Sequence, residues 1–197
     1  GIIAPDETTT TWLAKTGADV SGAGQWRSDA DARVDREIVV DAAGLEPQVA
    51  APHSPENSVD IAAHAGTAVN QAYIGACTGA KLEDLRMAAR VVAGRRVAEG
   101  TRFYVAPASV RVAEQAEAEG TLPALREAGA HILPSACGAC IGLGPARLGD
   151  NEVGISSSSR NFVGRMGERS SKTYLASPLT VAATALAGKI ADPRDYL

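Results

Sequence analysis

Cys137 and Cys140, two residues apart in SACGACIGLG, are the side chains of this 197-residue protein best suited to chemistry, and Cys77 in IGACTGAK is the one other thiol. Three thiols are one short of the ligand set a structural zinc ordinarily takes, and one more than a disulfide uses. An iron–sulfur cluster accommodates the odd number, because thiolates hold its irons one by one and three of them leave the fourth corner of a cubane open. An open iron is a Lewis acid that can bind hydroxyl or carboxylate and help a hydroxide leave. Zinc, with His131 or His64 as a fourth ligand, is the competing reading, and three unrelated buried thiols the plainest one.

A second group lies in SSSSRNFVGR, where Arg160 and Arg165 flank a small, hydroxyl-rich turn. Two planar guanidiniums so placed suit a carboxylate or phosphate; the alternative is a flexible serine loop with two surface arginines. Glu83 and Asp84 read as first-turn residues that favour a helix start, not as catalytic acids. Arg86, Arg90, Arg95, Arg96 and Arg102 are interrupted by acids and read as a solvated helix face. GLGPAR from Gly142 lacks the third glycine of a dinucleotide fingerprint and is rejected.

Alternating strands and helices must position these groups. AVNQAYIGACT reads as a strand ending near Cys77, followed by a helix over KLEDLRMAARVVAG with Leu82, Leu85, Ala89 and Val92 on one stripe. RFYVAPAS, AHILPSA and EVGISSSS read as strands, VRVAEQAEAEG and LPALREAG as helices, and Ser177-Pro178 opens a helix that stops at Gly188. REIVVDAAGL is a further expected strand. The pattern implies an α/β fold, a mostly parallel sheet with helices on both faces. Both cysteine loops and the SSSSRNF loop follow expected strands, so they meet at the carboxyl edge, where such sheets bind ligands. Residues 1–34 read as an irregular, polar N-terminal segment, the tail of a missing upstream domain, and 35–197 as the α/β domain.

A hydrophobic content of 45% allows a full core, and a net charge of −4 argues against a nucleic-acid binder. No apolar run has the length of a membrane span. An odd cysteine count in a chain with no secretory pattern points to a reducing, cytoplasmic setting.

YIGACTGAKLEDLR, SACGACIGLG, SRNFVGR and TYLASPLTVAATALAG together resemble the aconitase superfamily, most nearly the large subunit of 3-isopropylmalate dehydratase and homoaconitase; GIIAPDETT and DREIVVDAAGLEPQV extend the likeness over nearly the whole chain. The resemblance implies the cluster-bearing part of a 4Fe–4S hydro-lyase that dehydrates and rehydrates a hydroxy-polycarboxylic acid such as isopropylmalate. On that likeness Cys77, Cys137 and Cys140 are the cluster ligands, and Arg160 and Arg165, with Ser159, bind the substrate. It also implies partners: the missing N-terminal domains and a small swivelling-domain subunit carry the acid–base groups. No catalytic residue is identifiable in this chain, which is expected to be inactive alone. Ala76, Gly79 and Ser159 depart from the polar residues usual in the family, which suggests a divergent member with a non-standard acid. A cluster- or iron-sensing module of the same fold is the non-catalytic alternative.

Overall fold

The computed structural model describes residues 3–197, which gather into two compact units, one ending at Gly44 and one spanning Leu45–Leu197. In the first, α1 (Glu7–Lys15) starts at Asp6, whose carboxylate accepts the Thr9 amide at 2.7 Å. The segment expected to be irregular therefore holds a helix, nucleated by an aspartate cap and a charge order that suits the helix dipole. The expected strand in REIVVDAAGL does not form: Ile38, Val39 and Val40 are exposed and belong to no strand, and a turn of 3-10 helix follows at Ala42–Gly44. β-branched residues favour a strand only where a neighbouring strand gives them something to pack against.

The second unit is built on a seven-stranded sheet in the order β2-β1-β7-β6-β3-β4-β5. These strands are β1 (Gln48–Ala50), β2 (Ser58–Asp60), β3 (Gln71–Ile74), β4 (Arg102–Val105), β5 (His131–Ile132), β6 (Val153–Ser156) and β7 (Lys172–Ala176). From β7 to β5 every neighbouring pair is parallel, while the β1–β2 pair is antiparallel and joins β7 antiparallel. The chain lays β4 and β5 to one side of β3, then returns to lay β6 and β7 on the other. The path reverses between β3 and β6, and the crevice outside their carboxyl ends is where open α/β sheets take ligands.

Four helices follow: α2 (Leu82–Val92), α3 (Val110–Ala118), α4 (Thr121–Ala128) and α5 (Pro178–Ala187). Ser109 and Ser177 cap α3 and α5 through bonds from Val112 N and Thr180 N, both 3.2 Å, and Pro178 occupies the first turn of α5. Asp84 accepts the Lys81 amide at 2.9 Å, so the acidic pair at the start of α2 has the helix-opening role its position suggests. The buried side of α2 centres on Leu85, Ala88, Val91 and Val92, with Leu82 and Ala89 at its margins.

Alternation along the strands decides what covers each face of the sheet. Ala72 and Ile74 of β3, with Phe103 and Val105 of β4, share a core with Leu85 of α2, Leu125 of α4 and Val181 of α5. Tyr73 faces the opposite way and packs with Ala106, Ala139, Cys140, Leu148 and Met166. That second face is closed by the segment after β5, whose only helical piece is a 3-10 turn at Gly138–Ile141. The mostly parallel α/β sheet is the fold class expected; on the Tyr73 face the β5–β6 crossover is too rich in glycine and proline to run as an α-helix. Among the described residues, no helix is long and apolar enough to cross a membrane.

Candidate functional site

β3 delivers the chain to the loop of Cys77, and Ser157, just past β6, fixes that loop. Its hydroxyl accepts the Gly75 amide at 3.1 Å and donates to the Gly79 carbonyl at 2.8 Å, so one side chain spans Cys77 from both sides. The approach is close: a Cβ on Gly79 would stand 2.1 Å from the Ser157 carbonyl oxygen. The space a side chain at position 79 would need is filled by the backbone of the serine loop. The serine run itself is ordered, with Ser156 Oγ donating to Ser158 Oγ at 2.8 Å and accepting the Ser158 amide at 3.0 Å.

Cys137 and Cys140 sit on the tight turn after β5, closed by a bond from Cys140 N to the Cys137 carbonyl at 2.9 Å. The left-handed Gly142 (φ 73°) brings this turn against the arginine loop, where a Cβ would meet Gly167 N at 3.2 Å. Bonds from Leu148 N to Met166 O at 2.9 Å and from Glu168 N to Leu148 O at 3.0 Å complete the seam. The cysteine turn and the arginine loop are thus one stitched surface.

All three cysteines are free; Cys77 and Cys137 are exposed and Cys140 is buried. Burial, then the charge of Cys137 and its hydrogen bond, pushes the Cys140 thiol up, while the Arg165 guanidinium opposes the shift. The Tyr73 phenol is raised by its own burial and then by charge on Cys140, Cys137 and Cys77, and Cys140 packs against the same ring. That ring is fully buried, and a Cβ on Gly75 would lie 2.5 Å from the phenol oxygen, which places the hydroxyl beneath the Cys77 loop. Among the described residues the phenol oxygen, Asn161 Oδ1 and Arg165 Nε are the buried side-chain polar atoms without a hydrogen-bond partner. Leaving such a group unpaired costs about 1–3 kcal/mol.

Arg165 lies with its guanidinium carbon 5.3 Å from the centre of the Phe162 ring. Arg160 and Ser159 are exposed on the same loop, and Arg160 Nη1 bonds the Ser159 carbonyl at 3.1 Å. Between the arginines the buried Asn161 donates to Ala51 O at 2.9 Å and Thr173 O at 3.2 Å, anchoring the loop to β1 and β7. The structure therefore brings Arg165 to the cysteines and leaves Arg160 at the solvent side. Sequence reasoning missed Tyr73, Ser157 and Asn161; the last sits between two arginines, which was the one local signal.

The donor set suits a cluster better than a single ion. Among the described residues no three His, Cys, Asp or Glu side chains converge as ligands of one metal ion. His131 packs against Tyr104 at 5.5 Å and His64 against Tyr174 at 5.2 Å, so neither histidine of the zinc reading joins the thiols. A cluster binds each thiolate on a different iron, so its ligands stand further apart than those of one zinc. Free thiols around an orphaned phenol donor fit such a group.

Residues 62–188 match the aconitase family (aconitate hydratase). Over its full length the chain is 45% identical to a 3-isopropylmalate dehydratase large subunit of Archaeoglobus fulgidus and 44% identical to one of Methanopyrus kandleri, covering 47% of each. It is 47% identical to that of Campylobacter concisus over 85% of its own length and 40% of the relative's. The chain spans about half the length of the curated relatives it matches. With the motifs in order along one sheet edge and the match running through most of the second unit, the chain belongs to the aconitase family.

Proposed function

We propose that this chain is the cluster-holding part of a hydro-lyase of the 3-isopropylmalate dehydratase kind, which removes and restores water on a hydroxy-polycarboxylic acid. The observation that carries the reading is the meeting of three free thiols and the Arg165 guanidinium at the point where the sheet reverses its path. Cys77, Cys137 and Cys140 would hold a 4Fe–4S cluster, which when bound supplies a Lewis-acidic iron that draws electron density from the substrate hydroxyl.

The residues of the chain do the holding and orienting. Ser157 sets the Cys77 loop, and Arg165, with its Nε uncommitted, favours the thiolate of Cys140 and offers a planar fork to a carboxylate. Arg160 and the Ser159 hydroxyl provide a second carboxylate contact at the exposed rim. Proton transfer belongs elsewhere. Among the described residues, each carboxylate with a displaced pKa owes it to an arginine or to hydrogen bonds in its own turn. Acid–base catalysis needs groups within hydrogen-bond reach of the substrate. The upstream half of a large subunit and a small swivelling-domain subunit would supply them, in the reducing cytoplasm that a cluster of this kind needs.

The close packing of Gly79 on Ser157 favours one refinement. A pocket that has lost polar side chains at Ala76 and Gly79, and has serine at 159 where the family usually has asparagine, suits an acid other than the family's usual substrates.

The test is anaerobic reconstitution with iron and sulfide, followed by metal and sulfide counting and low-temperature EPR. Four irons and four sulfides per chain are expected, with the cluster lost in Cys77→Ser, Cys137→Ser and Cys140→Ser. Zinc uptake in place of iron, or a cluster indifferent to those substitutions, overturns the assignment.

A further inference from the structure

Tyr73 presents a hydroxyl for which the protein itself provides nothing. Its ring is fully buried on the sheet face opposite the helices, and its oxygen has no hydrogen-bond partner. Two polar side chains of the neighbouring strands and loop are committed elsewhere. Gln71, two residues back on the same face, donates to the Ala146 carbonyl at 2.8 Å and accepts from Arg102 at 3.3 Å. Ser157 Oγ serves Gly75 and Gly79. The ring cannot swing away: Gly75 has no side chain because the phenol lies across it, and Ala139, Cys140 and Leu148 pack around the rest. Buried polar groups in folded proteins are almost always paired, so a fixed donor with no acceptor marks a place where the acceptor arrives with something else. Cys140 packs against the ring and the phenol lies across the loop that carries Cys77, yet no thiol accepts its proton.

Resting on the reading above, we propose that Tyr73 is a positioning residue of the cysteine site, whose phenol O–H donates a hydrogen bond to sulfur once the site is loaded: a thiolate of Cys77, Cys137 or Cys140, or an inorganic sulfide they enclose. A donor aimed at sulfur withdraws electron density from the iron–sulfur unit, favouring its reduced state and shielding it from oxidative loss; hydrogen bonds to the sulfurs are among the main determinants of cluster potential. Nothing is oxidised or transferred by the tyrosine; it holds a proton in place.

Tyr73→Phe removes the oxygen and keeps the ring. In the full 197-residue chain, reconstituted anaerobically with iron and sulfide, the variant is expected to show a reduction potential shifted downward in EPR-monitored titration and a several-fold faster bleaching of the cluster in air. Thermal unfolding provides a readout of opposite sign. Before loading, Tyr73→Phe melts higher than the wild type, since an orphaned hydroxyl has been removed; after loading, that advantage is lost or reversed. An unaltered potential, with the variant melting higher by the same margin before and after loading, overturns the inference and leaves the cluster assignment standing. A wild-type chain that assembles no cluster overturns the assignment, and this inference with it.

Discussion

Ser157 and Gly79 show how much of the site depends on single atoms. The Ser157 hydroxyl is the acceptor for one backbone amide and the donor to one carbonyl, on either side of Cys77. Ser157→Ala should lower stability by about 1–3 kcal/mol, the cost of leaving the Gly75 amide unpaired, and should reduce the iron retained by the reconstituted chain. Urea unfolding and iron analysis on the same preparation would check both. Gly79→Ala is expected to be worse for iron than for folding: its methyl meets backbone, so the Cys77 loop must shift, at about 1–3 kcal/mol. Iron content that survives Gly79→Ala would mean the loop has more freedom than its packing indicates. The three thiols and two arginines were legible in the sequence because their residue types are rare and their spacing is chemical. Tyr73, Ser157 and Asn161 were not, since a tyrosine in a strand, one serine among four and an asparagine in a loop take their meaning largely from contacts more than ten residues away in the chain.

At the scale of elements, α2 starts at the carboxyl edge, while a tie between β4 and β6 holds the amino edge of the sheet. Leu85 is fully buried on α2, the helix that begins just after the Cys77 loop. Leu85→Ala should cost about 2–5 kcal/mol in urea unfolding, through lost burial and the cavity left behind. Arg102 on β4 makes a two-pronged pair with Glu152, just before β6, at 2.8 and 2.6 Å, and Glu152 also accepts the Gly149 amide at 2.7 Å. The Arg102 bond holds the Glu152 carboxyl below its ordinary value of 4.5, so the unfolded chain takes up that proton more readily than the folded one. The stabilisation is therefore fully present above pH 4.5 and lost as pH falls through the lower folded value. Because both side chains are partly exposed, it amounts to about 1 kcal/mol. Glu152→Gln should show that deficit near neutrality and converge on the wild type in acid, as judged by urea midpoints across the range. The long helices and the central parallel strands were readable from periodicity and caps. β1, β2 and β7 were not: β1 and β2 are three residues long, lie in a proline-containing stretch, and gain strand character only by pairing across the chain. The opposite failure at Ile38, Val39 and Val40 has the same cause, a strong local preference with no partner to satisfy it.

For the molecule as a whole, a chain that spans about half the length of its relatives should behave as a binder and not as an enzyme. The chain is expected to hold its cluster and yet give no detectable dehydration of isopropylmalate or related hydroxy acids. Supplying the upstream half and a small subunit should restore turnover in a coupled spectrophotometric assay. Turnover by the chain alone would place acid–base groups within it. The sheet has one more consequence, concerning how the protein fails. Its margins are β2, three residues long, and β5, two residues long. Neither is long enough to template a strand from another molecule, the usual route by which an open sheet seeds fibrils. The exposed thiols of Cys77 and Cys137 are a different liability, because they can join two molecules covalently in air while buried Cys140 stays out of reach. Ageing of this protein should therefore include disulfide-linked oligomers that a reductant dissolves, with the sheet edges playing no part.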